Sequence, residues 1–461
     1  MKTFKGEWFL PNNPNLKVRG VLSCDPVRGN SLEIEDSFLE TPTFGNITKE
    51  DVVLGITTDG TFITLYSCFE EGFELGTSYK ATWYVWQVFI GCHTIDKNDL
   101  RFTEVVLRIK PLFLWLNNSG INREGHLGID GQVTFTYKTP EPIHFLIDET
   151  VTGKFTFEAT ASYPTTHSDS IQMTHWAEIS LSTHQGKDLQ YEKLWQYCAK
   201  FIQWLQVITG YQCTIEDRTF RHRIDLVDEV ISGKQRELDI ANYGKTYVST
   251  KNPRTPRDLF TTYQKVERFM PEALTKWFLL YESIEPVIQI LSSTLVRGEF
   301  GQFIFKDVVQ ALEAFHRKLI RNERMPKAEY KKFKTKILDQ LEDLADKEFV
   351  KERINYGNEP SLRERLSELI ELAGEDPILS IIGDKDEFIK TVVENRNFHT
   401  HLDLAGKKNI LEISDLYHLT EKALSLLFIS ILNLIFPDKE FIAKVIRSSS
   451  RWGWRATRGH K

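Results

Sequence analysis

Leu189-Gln190-Tyr191-Glu192-Lys193-Leu194-Trp195-Gln196-Tyr197-Cys198-Ala199-Lys200-Phe201-Ile202-Gln203-Trp204-Leu205-Gln206-Val207-Ile208 is where the chain changes its period. Leu189, Leu194, Cys198, Ile202, Leu205 and Ile208 fall on one face at helical spacing, and Gly210 offers a C-terminal stop. Upstream the period is two. Val133, Phe135 and Tyr137 alternate with Gln132, Thr134 and Thr136, and Phe155, Phe157 and Ala159 repeat the pattern, as do Leu107 and Ile109 between charged neighbours. That alternation, with turn residues between segments, is what a half-buried antiparallel sheet requires. Asp59-Gly60, flanked by apolar and β-branched residues, predicts a hairpin turn. We expect a sandwich or open barrel over roughly residues 1 to 183, with further strands near Phe220–Leu226 and Glu237–Val248.

Downstream of the polar, proline-broken stretch Ser249-Thr250-Lys251-Asn252-Pro253-Arg254-Thr255-Pro256 the pattern is helical almost throughout. Ile304, Val308, Leu312, Phe315 and Leu319 make one stripe. Other helices are expected near Tyr330–Lys347, Ser361–Ala373, Lys385–Phe398 and Asp415–Phe436, joined by short linkers as in a bundle. The expected organisation is α+β and multidomain: a β-rich sandwich- or barrel-like region over 1–250, which includes the helix near 189–208, an all-α bundle over 257–446, and a basic tail over 447–461.

A chain of 461 residues is too long for one ordinary core. Its net charge of -6 sets up no field that would itself attract a polyanion, so a nucleic-acid partner needs a local basic patch. The five cysteines, Cys24, Cys68, Cys92, Cys198 and Cys213, are scattered and include no C-x-x-C pair, which argues against a disulfide framework or zinc ribbon. The charged start Met1-Lys2-Thr3-Phe4-Lys5-Gly6-Glu7 has no apolar core for a signal peptide. The most apolar run, Leu424 to Phe436, falls short of the roughly 20 residues that span a bilayer, so it reads as a buried helix. The expected setting is cytoplasmic, with no membrane partner. The sequence lacks H-E-x-x-H, G-x-S-x-G, P-loop and G-x-G-x-x-G motifs. No metal or other cofactor is expected.

The informative segment is Glu394-Asn395-Arg396-Asn397-Phe398-His399-Thr400-His401. Phe388, Ile389, Val392 and Val393 mark the apolar face of the helix leading into it, and continuing at i+3 and i+4 puts Arg396 on that face. A guanidinium there is costly unless it is paired or lines a crevice. Five residues turn roughly 140° about a helix, so Arg396 and His401 converge only if the helix ends or distorts near Phe398. His399, at i+3 from Arg396, is the rival imidazole. The plain alternatives are an ion-paired Arg396 and a His401 facing the helix dipole.

Arg396-Asn397-Phe398-His399-Thr400-His401 resembles the R-x(4–6)-H motif of HEPN nucleases, in the form with a polar residue after the arginine. The layout of the whole chain resembles the ApeA family of bacterial anti-phage proteins, which joins a β-rich N-terminal region to a C-terminal HEPN domain. Gly6-Glu7-Trp8-Phe9-Leu10-Pro11 adds to that likeness. The resemblance implies a metal-independent endoribonuclease with Arg396 and His401 as catalytic pair and Asn397 as the accompanying polar residue. It also implies a homodimer in which two motifs line one cleft. The substrate would be RNA, cut by its own 2′-hydroxyl, and the activity would be restrained or triggered through the N-terminal region, with a phage-derived trigger. The competing reading is a non-catalytic ligand-binding or scaffold protein whose helical part dimerises.

Glu313 and His316 lie beside the stripe of an earlier helix, where they could orient the site or form a solvated edge. Two basic stretches could hold RNA. One is the lysine cluster that includes Lys331 and Lys332. The other is the tail, with Arg451, Trp452 and Arg455, whose cations interleaved with tryptophans suit phosphate contact and base stacking.

Overall fold

In the computed structural model the described residues are 1–38, 48–75, 79–125, 133–162, 172–225, 235–246, 251–296, 300–401 and 410–453. By their internal contacts they form two units, one of residues 1–205, 212–256 and 262–267, the other of 206–211, 257–261 and 268–461.

The first unit is built on a long antiparallel sheet. Strands β1 (Lys2–Leu10), β2 (Asn13–Asp25), β3 (Gly29–Ile34), β4 (Lys49–Thr57), β5 (Phe62–Leu75) and β6 (Tyr79–Ile90) pair in the cyclic order β1-β2-β3-β6-β5-β4-β1, which closes a six-stranded barrel. Alternate residues point inward. Trp8, Val18, Leu22, Leu32, Val53, Ile63, Leu65, Trp83 and Val85 fill the interior, as expected of a barrel too narrow to leave a lumen. Gly55 is needed there: a Cβ on it would lie 2.2 Å from Cζ3 of Trp8. The predicted Asp59-Gly60 turn is present. Gly60 adopts φ +84°, and the Thr57 N–H donates to the Thr61 carbonyl at 3.0 Å.

The sheet continues outward from β6. While the first half of β6 pairs with β3, its Gln87–Ile90 end pairs with β12 (Gln235–Gly244). Beyond β12 come β11 (Thr214–Asp225), β7 (Glu104–Lys110), β10 (Met173–Thr183), β9 (Val151–Ala161) and β8 (Ile143–Leu146). The apolar face of this extension, with Leu107, Phe155, Ile179 and Phe220, is buried. The short helix α1 (Leu112–Leu116) and the long helix α2 (Tyr191–Thr209) cover it. Trp204 of α2 meets Trp115 edge to face at 5.3 Å, and Phe201 packs 6.0 Å from Phe155. Of the stripe read from the sequence, Leu194, Cys198, Leu205 and Ile208 are at most 1% exposed, whereas Ile202 is half-buried and Leu189, also half-buried, precedes the helix.

The second unit is a helical bundle: α3 (Met270–Val296), α4 (Gln302–Leu319), α5 (Lys327–Leu338), α6 (Leu344–Arg353), α7 (Leu362–Ala373), α8 (Glu375–Ile382), α9 (Lys385–His401), α10 (Ile413–Ile435) and α11 (Lys439–Ser448). α10 is its axis. Leu424, Leu426, Leu427, Phe428, Ile429 and Ile431 are all fully buried, and a helix apolar on every side belongs in a core. Among the described residues it is the one helix long and apolar enough to cross a bilayer, and 78% of its most apolar window is packed inside the bundle. Helices α3, α4, α7 and α8 pack around it. Pro286 kinks α3, where Ile284 leaves helical geometry at φ -135°. Ser361 and Glu364 close a reciprocal capping box at the start of α7.

Candidate active site

Helix α9 carries the candidate motif. Phe388, Ile389, Val392 and Asn395 turn into the bundle and are at most 3% exposed. Arg396 follows at the edge of that buried stripe, its side chain 32% exposed. Its Nη2 lies 3.3 Å from Oε2 of Glu313 on α4, and its Nη1 donates to Oδ1 of Asn397 at 3.4 Å. Glu313 sits at the rim of the buried α4 stripe of Phe305, Val308, Leu312 and Phe315, so the packing of α9 on α4 brings carboxylate and guanidinium together. A guanidinium has five N–H donors. Those two contacts leave it able to engage a phosphate.

The expected helix end at Phe398 is not found. Backbone hydrogen bonding carries α9 on to His401, and the Thr400 hydroxyl donates back to the Arg396 carbonyl at 2.7 Å. Local helix propensity and packing on α4 outlast the polar run, so His401 is the last residue of the helix instead of lying beyond it. The convergence with Arg396 expected from a helix end at Phe398 is corrected: on one continuous helix the two positions stand roughly 140° apart. The His401 side chain and Arg455 are outside the described residues.

His399 packs against α4, its ring 6.1 Å from Phe305 and 5.2 Å from Phe398. Its Nε2 is buried without a hydrogen-bond partner among the described residues. Burial, aided by the charge of Lys306, lowers its pKa and favours the neutral ring.

His316 belongs to a different network, and none of its hydrogen bonds reaches Arg396. It is fully buried. Nη1 of Arg365 donates to its Nδ1 at 3.0 Å, which places the ring proton on Nε2, 2.9 Å from Oε2 of Glu368. Arg365, itself 2% exposed, also donates to the Pro360 carbonyl and to Asn322. Arg321 grips Glu368 from outside. Burial pushes the His316 pKa down, and Arg321, aided by His316, holds Glu368 down to about 2. His316 therefore fastens α4 to α7, so the reading of it as a support for Arg396 is corrected.

The tail reading is also corrected. Trp452 is fully buried, 5.4 Å from Phe260 and 5.1 Å from Phe428, and its Nε1 donates to Glu421. Arg451 makes a two-pronged pair with the same carboxylate at 2.6 and 2.8 Å and donates to the Leu295 carbonyl. Glu421 is 5% exposed on the central helix, and a buried carboxylate needs such partners. Neither residue is free to hold RNA. Lys331 and Lys332 are exposed on α5.

One functional neighbour escaped the sequence reading. Asn395 is fully buried; its Nδ2 donates to the Thr391 carbonyl at 2.9 Å and its Oδ1 accepts the Leu411 N–H at 3.0 Å. It ties the chain that resumes before α10 to the turn bearing Arg396. The signal was its phase: Asn395 lies three and seven residues after Val392 and Phe388, an amide on the buried stripe. Among the described residues, no group of histidine, cysteine, aspartate and glutamate side chains is placed to hold a metal ion.

A closed β-barrel with an extended sheet, followed by a bundle that displays an R-x4-H run at a helix end, defines the class of β-headed HEPN proteins. Family profiles agree with it: ApeA N-terminal domain 1 matches residues 3–277 and Apea-like HEPN matches residues 307–439. The chain belongs to the ApeA family of proteins with a C-terminal HEPN domain. Searches of curated proteins and of solved structures returned no match.

Proposed function

We propose that this chain is an anti-phage endoribonuclease acting in the cytoplasm, which cuts RNA by attack of the 2′-hydroxyl and needs no metal ion. RNA carries its own nucleophile. Cleavage then requires removal of the 2′-proton, stabilisation of the phosphorane charge and protonation of the departing 5′-oxygen. Arg396 stays charged and offers a planar fork to the phosphate oxygens. The imidazole of His401 transfers the proton. Asn397 steadies the guanidinium from within the motif. One imidazole does not serve as base and acid at once, so two copies of the chain line a shared cleft and each supplies a motif. The products carry 2′,3′-cyclic phosphate and 5′-hydroxyl ends. The β-rich region restrains the bundle until a phage-derived signal arrives, because an unrestrained ribonuclease harms its host.

The observation that carries this reading is the half-buried Arg396, oriented by Glu313 yet left with donors to spare. The test is total RNA incubated with wild type, Arg396→Ala and His401→Ala, with and without chelator, followed by end-group analysis. Loss of cleavage in both folded variants and indifference to chelator are expected. Cleavage by both folded variants at the wild-type rate removes Arg396 and His401 as the catalytic pair, and RNA left intact by all three proteins removes the nuclease reading and supports the scaffold instead.

A further inference from the structure

Helices α5 and α6 form an arm that the rest of the bundle does not need. Neither of them contains a buried residue. Isolated helices of 10 to 12 residues are marginal in water. The arm is fixed at its base by polar contacts, the Tyr330 hydroxyl donating to the Ile354 carbonyl and Lys334 to Asn355. It follows the end of α4, and Leu319 lies six residues past Glu313, about 9 Å along the helix. The arm thus springs from the same helix that orients Arg396.

Within the arm the positive charge is confined to α5, where its sign is opposite to the chain's. Lys327–Leu338 holds five lysines and one glutamate, in a protein of net charge -6. Lys327 pairs with Glu323 at 3.3 Å. Lys331, Lys332 and Lys336 make no ion pair with any described residue, and they line a shallow hollow of about 650 Å³ with Thr335 and Asp339. Beside them the Phe333 ring is 48% exposed, and Phe349 on α6 is 59% exposed. Protein interfaces are depleted in lysine. Unpaired lysines beside exposed rings suit a polynucleotide, with ammonium groups on phosphates and rings under bases.

We infer that α5, through Lys331, Lys332 and Lys336 with Phe333 beside them, is an RNA-docking surface that delivers the strand to Arg396. The inference rests on the ribonuclease reading, and it is tested by binding so that the two can fail separately. The probe is a fluorescein-labelled single-stranded RNA of mixed sequence. The protein is the full chain carrying Arg396→Ala, and the readout is anisotropy over a salt series. Adding K331Q, K332Q and K336Q is expected to weaken binding at least tenfold. It should also flatten the dependence of log affinity on log salt by about two, at roughly 0.7 per phosphate contact. Phe333→Ala weakens binding without changing that slope. Because these side chains are exposed, the variants keep wild-type circular dichroism. Unchanged affinity and slope overturn the inference, and so does a change of oligomeric state by light scattering with RNA affinity intact, which makes the arm a protein interface. Binding through α5 together with a wild-type chain that leaves RNA intact removes the nuclease reading and leaves the docking surface standing.

Discussion

The guanidinium of Arg396 and the carboxylate of Glu313 meet at 3.3 Å across the α9–α4 contact, each side chain partly open to solvent. A pair so exposed adds little stability, about 1 kcal/mol or less. Its consequence is positional: in the proposed mechanism it fixes where the charge that stabilises the phosphorane sits. Arg396→Ala is therefore expected to abolish RNA cleavage, by a factor of about 100 or more. Glu313→Gln keeps a polar partner without the charge, and should lower kcat severalfold while leaving KM and the melting temperature nearly unchanged. Single-turnover cleavage and thermal unfolding of both variants check this. A Glu313→Gln chain that cuts normally would show the pair to be incidental.

His316 yields a pH prediction. Its folded-state pKa lies below the ordinary 6.5, chiefly through burial, so the unfolded chain binds protons that the folded chain refuses. Its contribution is whole above 6.5 and is lost as pH falls below that value. Glu368, held down to about 2 from an ordinary 4.5, adds a second loss as pH drops from 4.5 toward 2. Both signs agree: the helical unit weakens with acid in two stages. His316→Ala strips Arg365 and Glu368 of a buried partner and should cost about 3 kcal/mol. The variant's melting temperature is expected to vary less with pH between 7 and 5.5 than the wild type's. Parallel curves would assign the first stage to another group.

How much of this was readable in advance follows from the kind of signal each residue gives. Leu107, Phe155 and most of the α2 stripe declare themselves by period, because burial imposes alternation or helical spacing on a sequence, whereas Phe135, read by the same alternation, is 68% exposed. The closing of β1 to β6 into a barrel did not, since ring closure is a pairing of distant strands and leaves periodicity unchanged. Arg396 was visible as a charge out of phase with its helix, and Asn395, one residue earlier, carried the same signal as a buried amide. His316 and Trp452 misled for one reason. Composition reveals that a residue is polar, basic or aromatic, but not that Arg365 or Glu421, far off in sequence, waits inside to receive it. The end of α9 was misplaced by three residues, as helix ends commonly are when packing outlasts the apolar pattern.

The burial of Trp452 makes that residue a matter of stability. Its ring stacks on Phe260 and packs at a tilt against Phe428, and its Nε1 shares Glu421 with Arg451. Trp452→Ala should cost about 3–5 kcal/mol, the range for removing a large buried ring, and should leave RNA affinity unchanged per folded molecule. Denaturant unfolding and anisotropy measured on the same preparation separate the two effects. Weakened RNA binding at intact stability would return Trp452 to the surface role that its basic neighbours suggested.

The last prediction joins the barrel to the proposed restraint. A methyl group on Gly55 would meet the Trp8 ring at 2.2 Å, far inside contact distance, and the ring is fully buried in the barrel core that also holds Leu22, Val53 and Ile63. Gly55→Ala should therefore destabilise the β-rich unit by about 1–3 kcal/mol or more, as overpacking does, without touching any residue of the motif. If that unit holds the nuclease in check, the weakened barrel releases it. Cells carrying Gly55→Ala then grow more slowly without phage, and adding Arg396→Ala restores their growth. Slower growth that persists in the double variant would point to misfolding alone. Normal growth, with unfolding measurably shifted, would mean that the restraint does not depend on the barrel's integrity.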